Sequence, residues 1–510
     1  MSSVSQFLTT PWAKPLAGAT IAANALTQLG PTGRAYQAFT SDYAVAPQGV
    51  AILANTITYN EYPPAPNGDV VVRDANGYIY VLGLGLTLSE FAIFKLDPLG
   101  NLISQTATGT GLDVYTCANL AFLSNGNLMV TVSSSSATPN YATYYAIFDT
   151  NLNVVVARTL VNNNFASGSG SIFHSSCPLS GGGFAIAYFV SPGSTVQLSL
   201  YSNAGALTAS VTVAGYGGEV STFAVGQFSS GDILLAYSRA AGSHEITLAR
   251  YNTSAVLQGS LVPTGMITTA DPAPINIAFV AGFVAVSVVT ATGYLMAEVY
   301  SSVLVLQGSQ FLTTNALTVN LASCKLLLSD GTNFWIAFNN ITKLTTAGAA
   351  TTYIAAPAFG STMRYYASAF DSMNNIVTLA VRSSDYVVQL AVFNTLLLKQ
   401  IVSPTTLFTA TSPGTSMVPT LLSDGVFYLA ASAAQGSGIW KLITTYIAGP
   451  SSAAATLGTT VAIDITPGTK NIVGLLGSIF KNFSSIVNGG GAINGTTVIQ
   501  YGAGSRRPIV

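Results

Sequence analysis

Charge is scarce in this chain. Lys, Arg, Asp and Glu make up 7% of 510 residues, with 17 basic and 18 acidic side chains and a net charge of -1, against roughly 25% charged in an average soluble domain. The cations are scattered singly, so no basic stripe can neutralise a run of phosphates, and nucleic acid is not expected as a partner. Ser, Thr, Asn, Gly and Ala must then supply most of the surface. Such a neutral surface has little charge repulsion to keep copies apart, which suits a protein held in an assembly better than a free one.

Histidine, tryptophan and cysteine are also few: two, three and three residues. Cys117, Cys177 and Cys324 are far apart, leave one over from any pairing, and match neither a zinc pattern nor a disulfide framework. Each falls in an apolar or small-residue stretch, and small buried thiols are expected. The residues Met1 to Phe7 lack a basic segment followed by an apolar one, so no secretory signal is expected. The uncharged run from Ile277 to Ala297 has the length of a membrane helix. Ala281-Gly282 and Thr292-Gly293 punctuate it as turns, and Phe283 to Val289 is β-branched, so strands are expected there and no membrane insertion.

What the chain does have is a repeat. A turn of Gly, Asn, Asp or Ser is followed by a short apolar run, first in Asn76-Gly77-Tyr78-Ile79-Tyr80-Val81 and last in Asp424-Gly425-Val426-Phe427-Tyr428-Leu429. The first apolar positions are Ile79, Leu128, Phe184, Ile233, Val284, Phe334, Ile376 and Val426, spaced by 42 to 56 residues. A second landmark follows within the unit, a strand running into a polar turn and another strand. Examples are Phe91 to Ile103, Tyr145 to Val154, Val196 to Leu207 and Ile246 to Leu257, with looser counterparts at Tyr294 to Leu306 and Val387 to Leu397.

A unit of about 50 residues with three or four short strands is the size of a propeller blade. The fold expected is therefore all-β, a β-propeller of about eight four-stranded blades, with stacked sandwiches the alternative. The sixth unit is short and its outer strands from Ile341 onwards are weak, so a seven-bladed ring with an atypical insert also fits. Within a blade, a small-residue innermost strand such as Ser221 to Phe228 precedes the apolar one, and a hairpin lies outside. The apolar strand is hydrophobic on successive residues, as expected when neighbouring blades cover both faces.

The boundaries read as an extended N-terminal arm over 1–48, the propeller over 49–448, and a linker with a small C-terminal β module over 449–510. Val50 to Tyr59 reads as a strand that closes the ring with the last unit. Residues 471–487 carry the apolar spacing of a short amphipathic helix, between strands at Thr459 to Ile465 and Thr496 to Tyr501.

The inventory for catalysis is thin. His174 and His244 are isolated, and Asp97, Asp149, Asp232, Asp330 and Asp424 occupy turns that favour Asp for geometry alone. Asp113, Glu219 and Asp271 precede expected inner strands at comparable places, which makes them the best binding candidates for a central site, although a blade-entry turn also accounts for them. No catalytic residue, metal ligand or cofactor motif is found: there is no metal-binding acid pattern, phosphate loop or nucleophile elbow. An enzyme is disfavoured. With 24 Tyr and 24 Phe, aromatic platforms for sugar stacking exist in number.

The Ser/Thr/Ala/Gly-rich strands, the arm before the repeat, the β tail after it and the lack of a signal segment resemble bacteriophage virion proteins, such as tail-fibre, tail-tip or head-decoration components. The resemblance is one of style over the whole chain and transfers no site residues. It implies a protein made in the host cytoplasm and carried on the virion, a multimer fixed to other virion proteins through a terminus, with host-surface glycan as a ligand class. A soluble lectin-like propeller and a glycan-active enzyme using Asp113, Glu219 and Asp271 are the alternatives.

Overall fold

The computed structural model describes most of residues 71–409, with interruptions at connections between strands, and outside that range only the short strands named below. The described residues are all-β. Seven blades are each built from four consecutive antiparallel strands, the first strand lying at the axis and the fourth at the rim.

Blade 1 holds Val71–Arg73, Ile79–Leu84, Phe91–Leu96 and Leu102–Ala107, with Asn60–Glu61 also pairing with Ile79–Leu84, beyond Val71–Arg73. Blade 2 holds Tyr115–Phe122, Leu128–Ser134, Tyr141–Phe148 and Val154–Phe165; blade 3 holds His174–Pro178, Phe184–Val190, Thr195–Tyr201 and Leu207–Thr212. Blade 4 holds Phe223–Gln227, Ile233–Ser238, Ile246–Tyr251 and Leu257–Leu261; blade 5 holds Asn276–Val280, Phe283–Val289, Leu295–Ser301 and Leu306–Leu312. Blade 6 holds Leu327–Ser329, Phe334–Ala337, Ile341–Leu344 and Ala350–Ile354; blade 7 holds Met363–Phe370, Asn375–Arg382, Val387–Asn394 and Lys399–Thr409.

An eighth sheet is composite. Its strands Pro419–Leu422, Phe427–Ala434 and Trp440–Ile447 are completed by Val50–Ala51 and Thr56–Thr58, which pair with Trp440–Ile447 from the N-terminal side. Its inner strand adjoins those of blades 7 and 1, so the ring closes by joining the two ends of the repeat. The sixth unit, weak in sequence, is a complete blade with short strands. The apparent membrane run from Ile277 is divided among three strands of blade 5, and no helix among the described residues is long and apolar enough to cross a membrane.

Beyond the ring, Thr27–Leu29 pairs with Ala35–Gln37, Val461–Ile463 with Ile472–Gly474, and Thr497–Tyr501 with both Ala492–Asn494 and Pro508–Ile509. Apart from the Ile472–Gly474 strand, the helix expected over 471–487 lies outside the described residues.

The core lies between blades. All six residues of Ile233–Ser238 are buried; alternate residues of that strand face opposite neighbours, Ile233 and Leu235 packing with blade 3 and Leu234 and Ala236 with blade 5. A strand covered on both faces has no solvent side to encode, hence its unbroken apolar run. Gly226 permits close approach of two inner strands, since a Cβ there would stand 2.4 Å from the Phe279 ring.

One kind of tight turn recurs in the first hairpins of blades 1 to 4 and in the outer hairpins of blades 2 to 6. In the outer hairpins, the N–H of the fourth turn residue donates to the carbonyl of the first: Leu152 to Asp149, Gly205 to Ser202, Ala255 to Asn252, Leu304 to Ser301 and Gly348 to Thr345. The first side chain accepts the free N–H groups, as Asp149 Oδ1 does from Asn151 and Asn153 at 2.8 Å. The fourth residue is left-handed, and at Leu152 (φ 66°) and Leu304 (φ 62°) it is a buried leucine packed in the core shared with the preceding blade. Burial of that side chain offsets a backbone strain of roughly 1–2 kcal/mol.

Candidate functional site

Asp113, Glu219 and Asp271 lie outside the described residues, as does His244. The strands that follow the three acids, Tyr115–Phe122, Phe223–Gln227 and Asn276–Val280, are the first strands of blades 2, 4 and 5, which is the placement expected for each.

Of the turn acids, Asp149 and Asp330 do what geometry asks. Asp149 is held below the usual carboxylate range by the side-chain amide of Asn153 and the N–H groups of its own turn, which outweigh a smaller desolvation. At Asp330, burial pushes the carboxyl up, and the Trp335 indole N–H at 2.7 Å together with backbone N–H groups more than reverses it. Both carboxylates are spent on their turns.

The most concentrated polar group among the described residues lies between blades 2 and 3. His174, on the inner strand of blade 3, is fully buried. Its Nδ1 is 2.6 Å from Ser133 Oγ and its Nε2 is 2.9 Å from Thr131 Oγ1, both on the second strand of blade 2. Thr131 Oγ1 continues to Ser176 Oγ at 2.8 Å, which also accepts from Asn119 Nδ2 at 2.8 Å; Ser133 Oγ continues to Thr143 Oγ1 at 3.0 Å. Every member is buried.

Each hydroxyl can both donate and accept, so two proton arrangements satisfy the chain. In one, Ser133 donates to Nδ1 and Nε2–H donates to Thr131; in the other all directions between Thr143 and Thr131 reverse with the tautomer. Both need a neutral imidazole. Burial lowers the His174 pKa to about 3, so the ring stays neutral at physiological pH. The arrangement is a clasp between two blades.

Polar stitches of the same kind recur near the axis. Ser175 Oγ accepts from the Val225 N–H at 3.1 Å between blades 3 and 4, and Ser368 Oγ donates to the Ala337 carbonyl at 3.2 Å between blades 7 and 6. Nearer the rim, third-strand side chains reach the outer turn of the next blade: Lys95 Nζ donates to the Thr150 carbonyl at 2.8 Å and Tyr145 Oη to that of Gly205 at 2.6 Å.

Sequence reasoning did not find the His174 group, although its signal is there. Thr131 and Ser133 share one face of a strand, as do His174 and Ser176, so polar residues recur with a period of two inside otherwise apolar strands. It also missed a buried carboxylate. Glu298, 3% exposed, accepts from Tyr300 Oη and, at 2.6 Å, from Gln310 Nε2. Among the described residues, no three of His, Cys, Asp and Glu stand close enough together to hold a metal ion.

The rim is different in kind. The outer strands of blades 1 to 6 contain a single charged residue, Arg158, whose guanidinium lies 5.3 Å from the Tyr144 ring centroid. At the start of these strands, apolar side chains stand half-exposed: Leu102 and Ile103, Val154 and Val155, Leu207, Val256 and Leu257, Val305 and Leu306. The sheets end there, leaving backbone N–H and C=O groups of edge strands unpaired by any further strand.

No protein-family model matches the chain, and no curated protein matches it. Among solved structures it is similar to the Dos1 propeller, with 12% identity, 80% of this chain and 96% of that chain covered, and a TM-score of 0.43. A fungal alcohol oxidase in complex with copper gives 14%, 78%, 76% and 0.41. A subtype N11 neuraminidase-like protein (A/flat-faced bat/Peru) gives 10%, 77%, 97% and 0.36. At these identities the likeness concerns the propeller fold alone.

Proposed function

We propose that this chain is a non-enzymatic virion structural protein whose propeller is displayed on the particle for attachment or assembly, with host-surface glycan as the ligand class for attachment. The observation that carries this reading is the rim. Around it, one outer strand after another presents half-exposed Val and Leu at the same position, with Arg158 the one charge on the outer strands of blades 1 to 6. Soluble proteins that circulate freely protect such edges with Lys, Pro or other gatekeepers. A ring edged this way suits life among neighbours in an assembly, including other virion proteins and copies of itself. His174, tied into an inter-blade clasp, supports a scaffold reading in the same direction.

The test is immunogold labelling of density-purified particles from the host culture with an antibody to the propeller. Label on the particle surface supports the reading. Recovery of the chain only as free protein, with bare particles, overturns it; glycan-array binding by that free protein would then favour a soluble lectin-like propeller.

A further inference from the structure

The apolar rim is not even. Blades 4 and 5, neighbours in the ring, carry its densest part: Val256 and Leu257 at the outer turn and strand of blade 4, and Val303, Val305, Leu306 and Leu312 on blade 5, between 44% and 61% exposed. No charged residue occurs in either segment, 252–262 or 301–312. The polar atoms between these residues belong to Ser, Thr, Asn and Gln, which carry both donors and acceptors.

We infer that the outer edge of blades 4 and 5 is a two-fold interface for a second copy of this chain, an inference that rests on the assembly reading above. Three properties select a second copy as occupant. The first is charge. A partner with a charged face would have to desolvate it against Val and Leu with no counter-ion, whereas a second copy brings an equally neutral surface. The second is symmetry. An antiparallel edge strand brought to its own copy by a two-fold axis is self-complementary, because each contact occurs twice and the open N–H groups of one copy face the open C=O groups of the other. The third is area. Six half-exposed Val and Leu side chains offer on the order of several hundred Å² of apolar surface per copy, approaching the share that one partner contributes to a standard interface.

The edge is also stiff. Gly308, in the outer strand of blade 5, touches the outer turn of blade 6 backbone to backbone at Ala347 and Gly348, so the strand needs little ordering on contact. Arg250, on the third strand of blade 4, is already engaged with the Ser302 carbonyl at 2.9 Å and with Asp232 at 3.5 Å. It is not left to repel a second copy.

Sedimentation velocity on the purified full-length chain, wild type against Leu257→Asp/Leu306→Asp, tests the interface. Both sites are exposed, so the variant should fold, which circular dichroism and the melting temperature verify. The expected result is a dimer for wild type and a monomer for the variant, with association weakened on the order of 100-fold or more by the charges it would bury. As a second variant, Val305→Cys should give a cross-linked dimer under mild oxidation.

A wild-type monomer at the highest soluble concentration overturns the inference, as does a variant that associates like wild type. Immunogold labelling keeps the two readings apart. A chain that decorates particles but does not dimerise through this edge overturns the interface alone; an intact, substitution-sensitive dimer absent from particles overturns the virion reading alone. A wild-type monomer whose Asp variant is lost from particles would assign the edge to another particle component, and the second-copy inference would fall.

Discussion

Arg250 Nη1 donates to the carbonyl of Ser302 at 2.9 Å, joining the third strand of blade 4 to the outer turn of blade 5, while Asp232 Oδ2 lies 3.5 Å from the same nitrogen. Lys95 makes the corresponding contact from blade 1 to Thr150 in blade 2, so the device is repeated although the cation is not conserved in type. Replacing Arg250 by Met keeps the apolar stem and removes the charge-assisted bond, leaving Asp232 without its cation. The expected loss is about 1.5–3 kcal/mol, read by urea unfolding of the whole ring. A change under about 0.5 kcal/mol would show that the contact is surface decoration.

Two glycines in equivalent turns should respond very differently to alanine. Gly126 has φ +82° and nothing within 4 Å of a built Cβ, whereas at Gly183, φ +86°, the Cβ would stand 1.9 Å from the carbonyl oxygen of Tyr201. Gly126→Ala should therefore cost only the left-handed strain, about 1–2 kcal/mol. Gly183→Ala must also push two backbones apart between neighbouring strands of blade 3, and a loss above about 3 kcal/mol or failure to fold is expected. Equal melting temperatures for the two variants would contradict the packing at Gly183.

The fold was legible because its period is written twice, in turn residues and in apolar runs. Ile79, Leu128, Phe184, Ile233 and Phe334 each begin the second strand of a blade, and Val284 and Ile376 stand one residue inside. These strands are buried on both faces, which makes them the least ambiguous segments in the sequence. The outer strands of blade 6 were harder to read because they are only four and five residues long, and the last, Ala350–Ile354, is a half-solvated rim strand that needs no continuous apolar run. The His174 clasp was hidden for another reason. Thr131 and Ser133 are 43 and 41 residues from His174 and meet it only because blades pack at a particular height, which no local pattern states. Leu152 and Leu304 carry no turn signal in the sequence, since a leucine at positive φ breaks the rule that marks such turns by Gly or Asn. Asp113, Glu219 and Asp271 were chosen by position, and that position lies outside the described residues.

Glu298 provides a test of whether buried polar groups stabilise this ring or merely specify it. Its carboxylate accepts from Tyr300 and Gln310, and burial together with this carboxylate pushes the Tyr300 hydroxyl far above the usual phenol range. Tyr300→Phe leaves an acceptor unsatisfied in the interior and should cost about 1–3 kcal/mol. Adding Glu298→Met removes the stranded acceptor, so the double variant should regain most of that loss. Strict additivity of the two substitutions in a double-mutant cycle would show that the pair is not coupled.

His174 should make the ring sensitive to mild acid. In the folded state its pKa is lowered from 6.5 to about 3 by burial. The unfolded chain therefore binds a proton that the folded chain does not throughout the interval between those values, and stability rises with pH there. Falling pH should thus erode stability from about 6.5 downwards, by up to about 1.4 kcal/mol per unit, with carboxylates adding their own contributions only at lower pH. The clean window is pH 7.5 to 5, measured by urea unfolding for wild type and for His174→Gln, whose amide can bond one of the two hydroxyls but cannot titrate. The variant is expected to be less stable at pH 7.5, because one of Thr131 and Ser133 loses its bond to residue 174, yet to show a flatter slope toward pH 5. Parallel slopes in the two proteins would mean that His174 is not the group whose neutrality holds blades 2 and 3 together.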